Sequence, residues 1–297
     1  MGERVDRSIE AFDLLSNELR LDILRTLGEA DASGEELPMA FTELQRRVGV
    51  ADNGRFNYHL SQLVGRFVEK TDGGYKLRPP GISVYQAIIS GAYTDEADIE
   101  PTRVEGEFCD ECEAAGKAWY EDSHFHLGCA ECGKLIIHYP LPPGSFDREN
   151  PESMVDAGSA WFLRDQITAD RGVCPYCAGA VHKRLSGDDS KMGVLGERKY
   201  VGVVSYACDR CSWELYCNPP FAMSTAPEVI GFFADRGIDI LDRHPWATYP
   251  NAEENVLSKD PWRVEIRYHA DGDELRLVID ENAAIVESTA AATEVAE

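Results

Sequence analysis

Positive charge is scarce in this sequence, and long apolar stretches are absent from it. The 297 residues carry 53 acidic and 29 basic side chains, for a formal net charge of −24. Apolar runs such as VGVVSYA (201–207) are short, whereas a membrane-spanning helix needs about 20 apolar residues. The first residues, MGERVDRSIEAFDLL, are charged and lack the apolar core of a secretory signal. We therefore expect a soluble, cytoplasmic protein that does not enter a membrane.

Lysine is especially rare, with 8 residues against 21 arginines. A strongly acidic, lysine-poor composition resembles that of proteins from halophilic archaea. At roughly 1 M salt the Debye length falls to about 3 Å, so crowded carboxylates repel one another only weakly. The alternative is an ordinary acidic protein that avoids nucleic acid. Residues 40–80 nevertheless hold seven basic and four acidic side chains, and any DNA-binding surface is expected there.

The first 50 residues have the periodicity of two helices. Apolar residues three to four positions apart predict one amphipathic helix over residues 8–28, ending near Gly28. A second helix is predicted in FTELQRRVGV (41–50), where Thr42 and Gln45 have the spacing of a capping box.

A third helix and a β-hairpin are predicted next. In RFNYHLSQLV (55–64) the apolar side chains share one side of a helix, namely Phe56, Leu60, Leu63 and Val64. FVEK (67–70) and YKLRP (75–79) are short extended runs joined by a Gly-containing turn, which is typical of a hairpin. Three helices followed by a hairpin are the order of a winged helix-turn-helix.

The polar side of the third predicted helix has side chains that can read DNA. Arginine pairs bidentately with guanine, and glutamine with adenine, in the major groove. The predicted base-reading residues are Asn53, Arg55, Asn57, Tyr58, Ser61 and Gln62, and the predicted phosphate contacts are Arg66, Lys70, Lys76 and Arg78.

These stretches resemble a known family. NELRLDILRTLG (17–28), RFNYHLSQLVGRFVEK (55–70) and GGYKL (73–77) are similar to ArsR-type winged-helix regulators of archaea, including haloarchaeal members. The resemblance covers about residues 7–80 and implies a dimeric, DNA-binding repressor or activator. The best-known members sense metal through cysteines in the helix-turn-helix, but this sequence has no cysteine before Cys109. Metal sensing in this part is therefore not supported.

A further apolar helix is predicted in GISVYQAIISGAYT (81–94). Its apolar residues are Ile82, Tyr85, Ile88, Ile89 and Tyr93. A winged helix already has a core of its own, so an added apolar helix favours packing against a second copy of the chain, and the resemblance implies the same role. The alternative is that the helix caps its own domain.

Eight of the nine cysteines fall into four CxxC pairs. The first two pairs are 16 residues apart and the last two are 30 residues apart. Thiolates at positions i and i+3 can supply two of the four ligands of a tetrahedral zinc ion. The spacing predicts two structural zinc ions, and the predicted ligands are Cys109, Cys112, Cys129 and Cys132 for the first and Cys174, Cys177, Cys208 and Cys211 for the second.

The two cysteine sets resemble each other. CAECGKLIIHYPLPP (129–143) and CDRCSWELYCNPP (208–220) each run from a CxxC through a predicted strand to Pro-Pro, and a predicted helix follows each. This internal duplication pairs the first CxxC with the second and the third with the fourth. His138 and Cys217 both lie six residues after the last cysteine of their set, which predicts a common structural role.

The cysteines have two alternative roles, redox chemistry and catalytic zinc. Thioredoxin-like redox chemistry needs a CxxC that opens a helix in a βαβ unit, and no such unit is predicted. Catalytic zinc keeps an open coordination position, whereas two four-cysteine sets are closed. His124, His126 and His182 lie near the CxxC pairs and could replace a ligand, but eight cysteines already satisfy two ions, so the sequence favours ordinary ribbon-loop residues.

The predicted fold is α+β: a winged helix-turn-helix, two zinc-ribbon-like β units with interspersed helices, and a C-terminal β-hairpin. The predicted segments are residues 1–93 (winged helix with its dimerisation helix), 94–102 (linker), 103–172 (first ribbon and helix), 173–245 (second ribbon and helix), 258–287 (hairpin) and 288–297 (disordered tail). The half that follows the linker also resembles the one that accompanies such winged helices in haloarchaeal proteins, which implies no activity by itself.

The sequence favours a transcriptional regulator that binds double-stranded DNA as a homodimer. The alternative is an adaptor like the archaeal initiation factor that has a winged helix followed by a zinc ribbon, with a protein partner for the ribbons. We expect no enzymatic activity, because the sequence has no phosphate-binding glycine loop, no pair of carboxylates at a defined spacing and no nucleophile elbow.

Overall fold

The structure is a computed structural model that describes residues 2–93, 97–106, 109, 114–187, 201–241 and 252–292. The chain divides into two compact units, Met1–Asp95 and Glu96–Glu297. Helices and antiparallel sheets occur in separate stretches, so the predicted α+β class is confirmed.

The first unit consists of five helices and one two-stranded sheet. In chain order they are α1 (Gly2–Leu15), α2 (Glu18–Ala32), α3 (Phe41–Val48), α4 (Asn53–Leu63), β1 (Val68–Thr71), β2 (Gly74–Leu77) and α5 (Pro79–Ile89). β1 and β2 pair antiparallel, with Val68 opposite Leu77. The core of this unit contains Leu19, Ile23, Leu24, Leu27, Leu44, Phe56, Leu60, Leu63, Phe67 and Val68.

The helix predicted over residues 8–28 is two helices. Asn17 interrupts it, because its side-chain oxygen accepts a hydrogen bond from the Arg20 amide at 3.3 Å and caps α2. Gly28 does not end α2 but lies inside it. A Cβ atom at Gly28 would come within 2.3 Å of the Tyr85 ring, so the glycine makes room for α5 rather than for a turn.

The predicted capping box of the second helix was also wrong. α3 begins at Phe41, its cap is Ala40, and that residue makes no side-chain cap hydrogen bond. Thr42 lies within the first turn instead. The next helix has the side-chain cap: Asp52 accepts a hydrogen bond from the Arg55 amide at 3.0 Å.

The predicted core side of α4 is confirmed for Phe56, Leu60 and Leu63, which are buried. Val64 was predicted to share that side but is 37% exposed. It follows the last helical residue, and its extended backbone (ψ 135°) turns the chain away from the apolar side.

In its described residues, the second unit contains three antiparallel sheets and intervening helices. The first sheet is β3 (Ile99–Val104), β4 (Gly116–Glu121), β5 (His124–Cys129) and β6 (Leu135–Pro140), followed by a short 3₁₀ helix (Pro143–Ser145) and α6 (Pro151–Asp170). The second sheet is β7 (Val181–Ser186), β8 (Val203–Cys208) and β9 (Glu214–Cys217), followed by α7 (Pro219–Ala222) and α8 (Pro227–Ala234). The third sheet is β10 (Glu253–Lys259), β11 (Trp262–Ala270), β12 (Asp273–Ile279) and β13 (Ile285–Ala292).

One apolar core joins the three sheets of the second unit. It includes Phe125 and Tyr139 from the first sheet, Val204 and Tyr206 from the second, and Ile266 from the third. The predicted ribbons and hairpin are therefore parts of a single folded unit.

The boundaries near both ends of the second unit differ from those predicted. β3 begins at Ile99, inside the predicted linker 94–102. The predicted hairpin 258–287 is the centre of a four-stranded sheet, and β13 takes in residues 288–292 of the predicted tail. Among the described strands β13 pairs with β12 alone, and it is exposed along nearly all its length. Its sequence therefore lacks the alternation of apolar and polar residues that would have predicted a strand. Residues 293–297 lie outside the described residues.

Candidate metal centres and nucleic-acid surface

Four of the cysteines meet at one end of the second sheet. The sulfur atoms of Cys174, Cys177, Cys208 and Cys211 all lie within 4.8 Å of one another. Cys174 and Cys211 are 3.7 Å apart, and Cys177 and Cys208 are 3.4 Å apart. A disulfide would need about 2.05 Å, whereas thiolates around a tetrahedral zinc ion at about 2.3 Å lie roughly 3.8 Å from one another. This cluster could hold a metal ion.

Backbone turns hold these thiols in place. The Cys174 carbonyl accepts a hydrogen bond from the Ala178 amide at 2.9 Å, and the Cys174 amide donates to the Gly179 carbonyl at 2.8 Å. These two backbone bonds close the first turn. The Gly179 amide donates to the Cys177 sulfur at 3.4 Å. On the facing turn, the Arg210 amide donates to the Cys208 sulfur at 3.3 Å.

Two thiols of this cluster, Cys177 and Cys211, have pKa values shifted in opposite directions. Burial raises the pKa of Cys177, but the Gly179 amide, the Cys208 thiol and Arg210 lower it, and the result is about 6. The Trp213 amide lowers the pKa of Cys211, but burial and the three neighbouring thiols raise it to about 12. Four thiols this close cannot all ionise without a cation between them. A bound metal would supply that charge.

Three further cysteines form a second cluster beside β5. The sulfur atoms of Cys109, Cys129 and Cys132 lie within 4.8 Å of one another, with 3.8 Å between Cys109 and Cys132. The amides of Glu131 and Cys132 each donate to the Cys129 sulfur at 3.4 Å. Burial raises the pKa of Cys129, but these amides and the neighbouring thiols lower it to about 7. The predicted fourth ligand, Cys112, lies outside the described residues.

His138 and Cys217 do not share a structural role. Cys217 is 3% exposed on β9, and burial together with the Asp170 charge raises the pKa of its thiol. His138 is exposed on β6, between the buried Ile137 and Tyr139. The two strands are out of phase by one residue relative to their cysteines, and a shift of one residue turns a side chain to the opposite face.

The histidines near the CxxC pairs do not enter either cysteine cluster. His182 is exposed on β7 and lies 2.8 Å from Asp209. His124 and His126 lie on β5, on the face of the sheet that also carries His138. The grouping of His138 with the other two histidines cannot be read from the sequence, because His138 is on the next strand.

The predicted base-reading residues lie on or beside one exposed side of α4. Arg55, Asn57, Tyr58, Ser61 and Gln62 are all exposed, and Tyr58 is 60% exposed. The Ser61 hydroxyl donates to the Tyr58 carbonyl at 2.7 Å and so turns back onto the helix. Among the described residues no acidic side chain pairs with Arg55.

The side chain of Asn53 is hydrogen-bonded to the neighbouring helix α3. Its side-chain oxygen accepts a hydrogen bond from the Gln45 amide group at 2.6 Å. This bond ties the end of α3 to the start of α4. Asn53 therefore helps to orient α4, and its predicted DNA contact stays a prediction.

The predicted phosphate contacts lie close to acids or aromatic rings. Arg66 pairs with Glu10 at 3.8 Å, and Lys76 pairs with Glu69 at 3.5 Å. The Lys70 ammonium lies 5.8 Å from the centre of the Tyr75 ring. These pairs are solvent-exposed, and such pairs contribute about 0–1 kcal/mol, so a phosphate can replace the acid. Arg78 is exposed.

Two of the basic residues counted in residues 40–80 are neutralised. Arg46 and Arg47 pair with Glu43 at 2.6 and 2.7 Å, and Arg47 also pairs with Glu35 at 2.7 Å. Hydrogen bonds from Arg46 and Arg47 lower the pKa of Glu43 to about 2. The positive surface of the first unit is therefore smaller than the residue count suggests, and it depends on α4 and the hairpin.

No helix in the described part of the chain has both the length and the apolar character needed to cross a membrane.

Two family models match the chain, and each match falls within one of the two units. Residues 106–285, more than half of the chain, match a domain of unknown function, DUF7351. Residues 8–88 match a second domain of unknown function, DUF7347. No curated protein and no solved structure matches the chain.

Proposed function

We propose that this chain, which belongs to the DUF7351 family, is a DNA-binding transcriptional regulator whose second unit is stabilised by two structural zinc ions. The observation that carries the proposal is the exposed polar side of α4, a helix whose other side is buried in the core and which the two-stranded hairpin follows along the chain.

The order of elements supports DNA binding by the first unit. α2, α3 and α4 are followed by the β1–β2 hairpin, and in a winged helix-turn-helix the equivalent of α4 enters the major groove. Arg55 and Gln62 then face the bases, and the hairpin residues Lys70 and Lys76 face the phosphates. The resemblance to ArsR-type regulators agrees with this assignment.

The sulfur geometry supports zinc in the second unit. Thiolate ligands select zinc, copper(I) or iron–sulfur clusters, and two closed sets of cysteines on hairpin turns are typical of structural zinc. On this proposal Cys112 completes the first site. Each zinc-binding module is a zinc ribbon within the shared core.

Exposed apolar residues support a homodimer. On the first unit Ile9 and Phe12 of α1 are 56% and 72% exposed, and Ile89 at the end of α5 and Tyr93, four residues beyond it, are 55% and 87% exposed. Tyr85 packs on Gly28 of its own unit, so only part of α5 is free to meet a second copy. We propose that the end of α5 and the apolar residues of α1 form the dimer contact.

Two substitutions test the readout role. At a specific site found by genome-wide occupancy of the tagged protein, Arg55→Ala and Gln62→Ala should each weaken binding by about 1–3 kcal/mol. Binding to unrelated DNA should change much less, because base contacts are lost and phosphate contacts remain. Binding is measured at high salt by fluorescence anisotropy.

Arg263→Ala is the matched control, since Arg263 is an exposed arginine on β11 in the other unit. It makes the same change in net charge and should leave DNA affinity unchanged. Equal losses on all sequences for Arg55→Ala and Gln62→Ala would contradict sequence-specific readout.

That contrary result would favour the alternative function, an adaptor that binds a protein partner. One surface feature supports this alternative. Val173 and Tyr176, beside the second cysteine cluster, are 41% and 52% exposed. An apolar pair at the tip of a zinc-bound turn is a suitable contact for a protein partner.

A further inference from the structure

Three imidazoles lie together on the outer face of the first sheet. His124 and His126 are two residues apart on β5, so their side chains point to the same face. His138 on β6 lies directly opposite His126. The other face of this sheet is the buried one, with Phe125, Leu127 and Tyr139 in the core. The three histidines therefore face outwards as a group.

The rings are in contact with one another. The Nδ1 atoms of His126 and His138 are 3.3 Å apart. Two nitrogens bound at about 2.0–2.1 Å to one tetrahedral ion lie roughly 3.4 Å from each other, so this pair already has the separation of two ligands. The rings of His124 and His138 are stacked, with their centres 4.4 Å apart.

A backbone contact orients one of the imidazoles for metal binding. Neutral imidazole is the form that binds metals. Nδ1 of His124 lies 2.7 Å from the Asp122 carbonyl. A proton on Nδ1 satisfies that carbonyl and leaves the Nε2 lone pair available, which is the usual arrangement of a metal-binding histidine.

Two residues of β4 complete the face. Trp119, opposite His126, stacks on its ring with the ring centres 4.8 Å apart and 10° between the planes. Glu121, opposite His124, is exposed. It lies on the same face as Trp119 because it is two residues further along the strand. The three histidines and Glu121 thus belong to one face of three neighbouring strands, β4, β5 and β6.

We propose that His124, His126 and His138 form a surface site for a divalent transition-metal ion of the kind that imidazole prefers, such as Zn²⁺, Ni²⁺ or Cu²⁺. His126 and His138 are its first two ligands. His124 becomes the third ligand when its ring rotates away from the stacked ring of His138. Glu121 or water fills the remaining coordination position. The site is separate from the cysteine clusters and independent of DNA binding. Its histidines leave room for exchangeable ligands, whereas the four-cysteine sets are closed.

Nickel titration of the zinc-loaded full chain tests the site. Ni²⁺ is the probe, and binding is followed by calorimetry and by Trp119 fluorescence. We expect one equivalent of Ni²⁺ to bind, with an affinity that falls at least about tenfold in His126→Ala and in His138→Ala. Trp119→Phe should remove most of the fluorescence change but leave the calorimetric affinity in place.

His182→Ala and His269→Ala are the matched controls, since both histidines are exposed and lie in other sheets. They should bind Ni²⁺ as the native chain does, and the cysteine-bound zinc content should be the same in all variants. Two outcomes would overturn the proposal. One is Ni²⁺ binding in the His126→Ala/His138→Ala double variant that equals binding in the native chain. The other is an equal loss in His182→Ala.

Discussion

Gly179 shows how little space a four-thiol cluster leaves for its own backbone. A Cβ atom there would lie 3.1 Å from the Cys208 sulfur, 3.2 Å from the Cys177 sulfur and 2.9 Å from Cβ of Arg210. The same residue donates its amide to Cys177. Its small size and its hydrogen bond both serve the cluster.

Gly179→Ala should therefore weaken metal binding at the second cluster. The added methyl group pushes two ligand sulfurs apart, and changes to residues that hold metal ligands in place cost about 10–100-fold in metal affinity. Competition with a chromophoric chelator measures the loss. Gly231→Ala is the control, because nothing lies within 4 Å of a Cβ atom at Gly231. Unchanged metal affinity in Gly179→Ala would mean that the cluster has more room than the sulfur distances indicate.

At the same scale, spacing along the chain predicted which cysteines come together. Seven of the eight predicted ligands lie in the two clusters, and the eighth is outside the described residues. Helical spacing places Glu43 beside Arg46 and Arg47 on α3, but the second pairing of Arg47, with Glu35, depends on side-chain directions across a loop that spacing does not give. Nor could spacing show that His138 meets His126, which depends on the register of β5 and β6.

Among the elements, the contact between helices α2 and α5 depends on one glycine, Gly28, which has no side chain to block it. Gly28 lies in the middle of α2, and the Tyr85 ring of α5 fills the space beside it. A helix gains about 1 kcal/mol when an internal glycine becomes alanine. Here that gain is opposed by a clash at 2.3 Å with an aromatic ring.

Gly28→Ala should destabilise the first unit by about 1–3 kcal/mol, the usual cost of overpacking. Denaturant unfolding measures it. Gly54→Ala in α4 is the control, since the nearest atom there is a flexible Asp52 oxygen at 3.3 Å, and it should have a much smaller effect. If Tyr85→Ala does not relieve the cost of Gly28→Ala, the two residues are not coupled and the packing of α5 on α2 is wrong.

Elements with strong apolar periodicity were the predictable ones. α4 and the β11–β12 hairpin were expected, because each has one buried side. The break at Asn17 was missed because apolar residues continue at helical spacing across it, and capping decides where one helix ends and the next begins. β13 was missed because an exposed edge strand needs only backbone pairing with β12.

For the whole molecule, the decisive difference between the two units is where their stability comes from. The core of the first unit contains no cysteine, so no metal is needed to complete it. The core of the second unit includes Cys174 and packs against Cys177, Cys208 and Cys211. The pattern of cysteines predicted this asymmetry, but the fusion of both ribbons and the third sheet into one core depends on long-range packing that spacing does not encode.

Loss of metal should therefore unfold the second unit and spare the first. Because metal binding in such sites is part of the folding free energy, roughly 10–16 kcal/mol in small zinc peptides, Cys208→Ser should lower the metal content from two ions to one and strongly destabilise residues 97–292. Elemental analysis of protein kept in a weak chelator, which removes any exchangeable histidine-bound ion, gives the count of cysteine-bound ions, and hydrogen exchange on the full chain should show residues 2–93 still protected. Cys217→Ser, a buried cysteine outside both clusters, should keep two ions. One ion in the native chain, or disulfides within the CxxC pairs, would contradict the two-site assignment and favour redox chemistry instead.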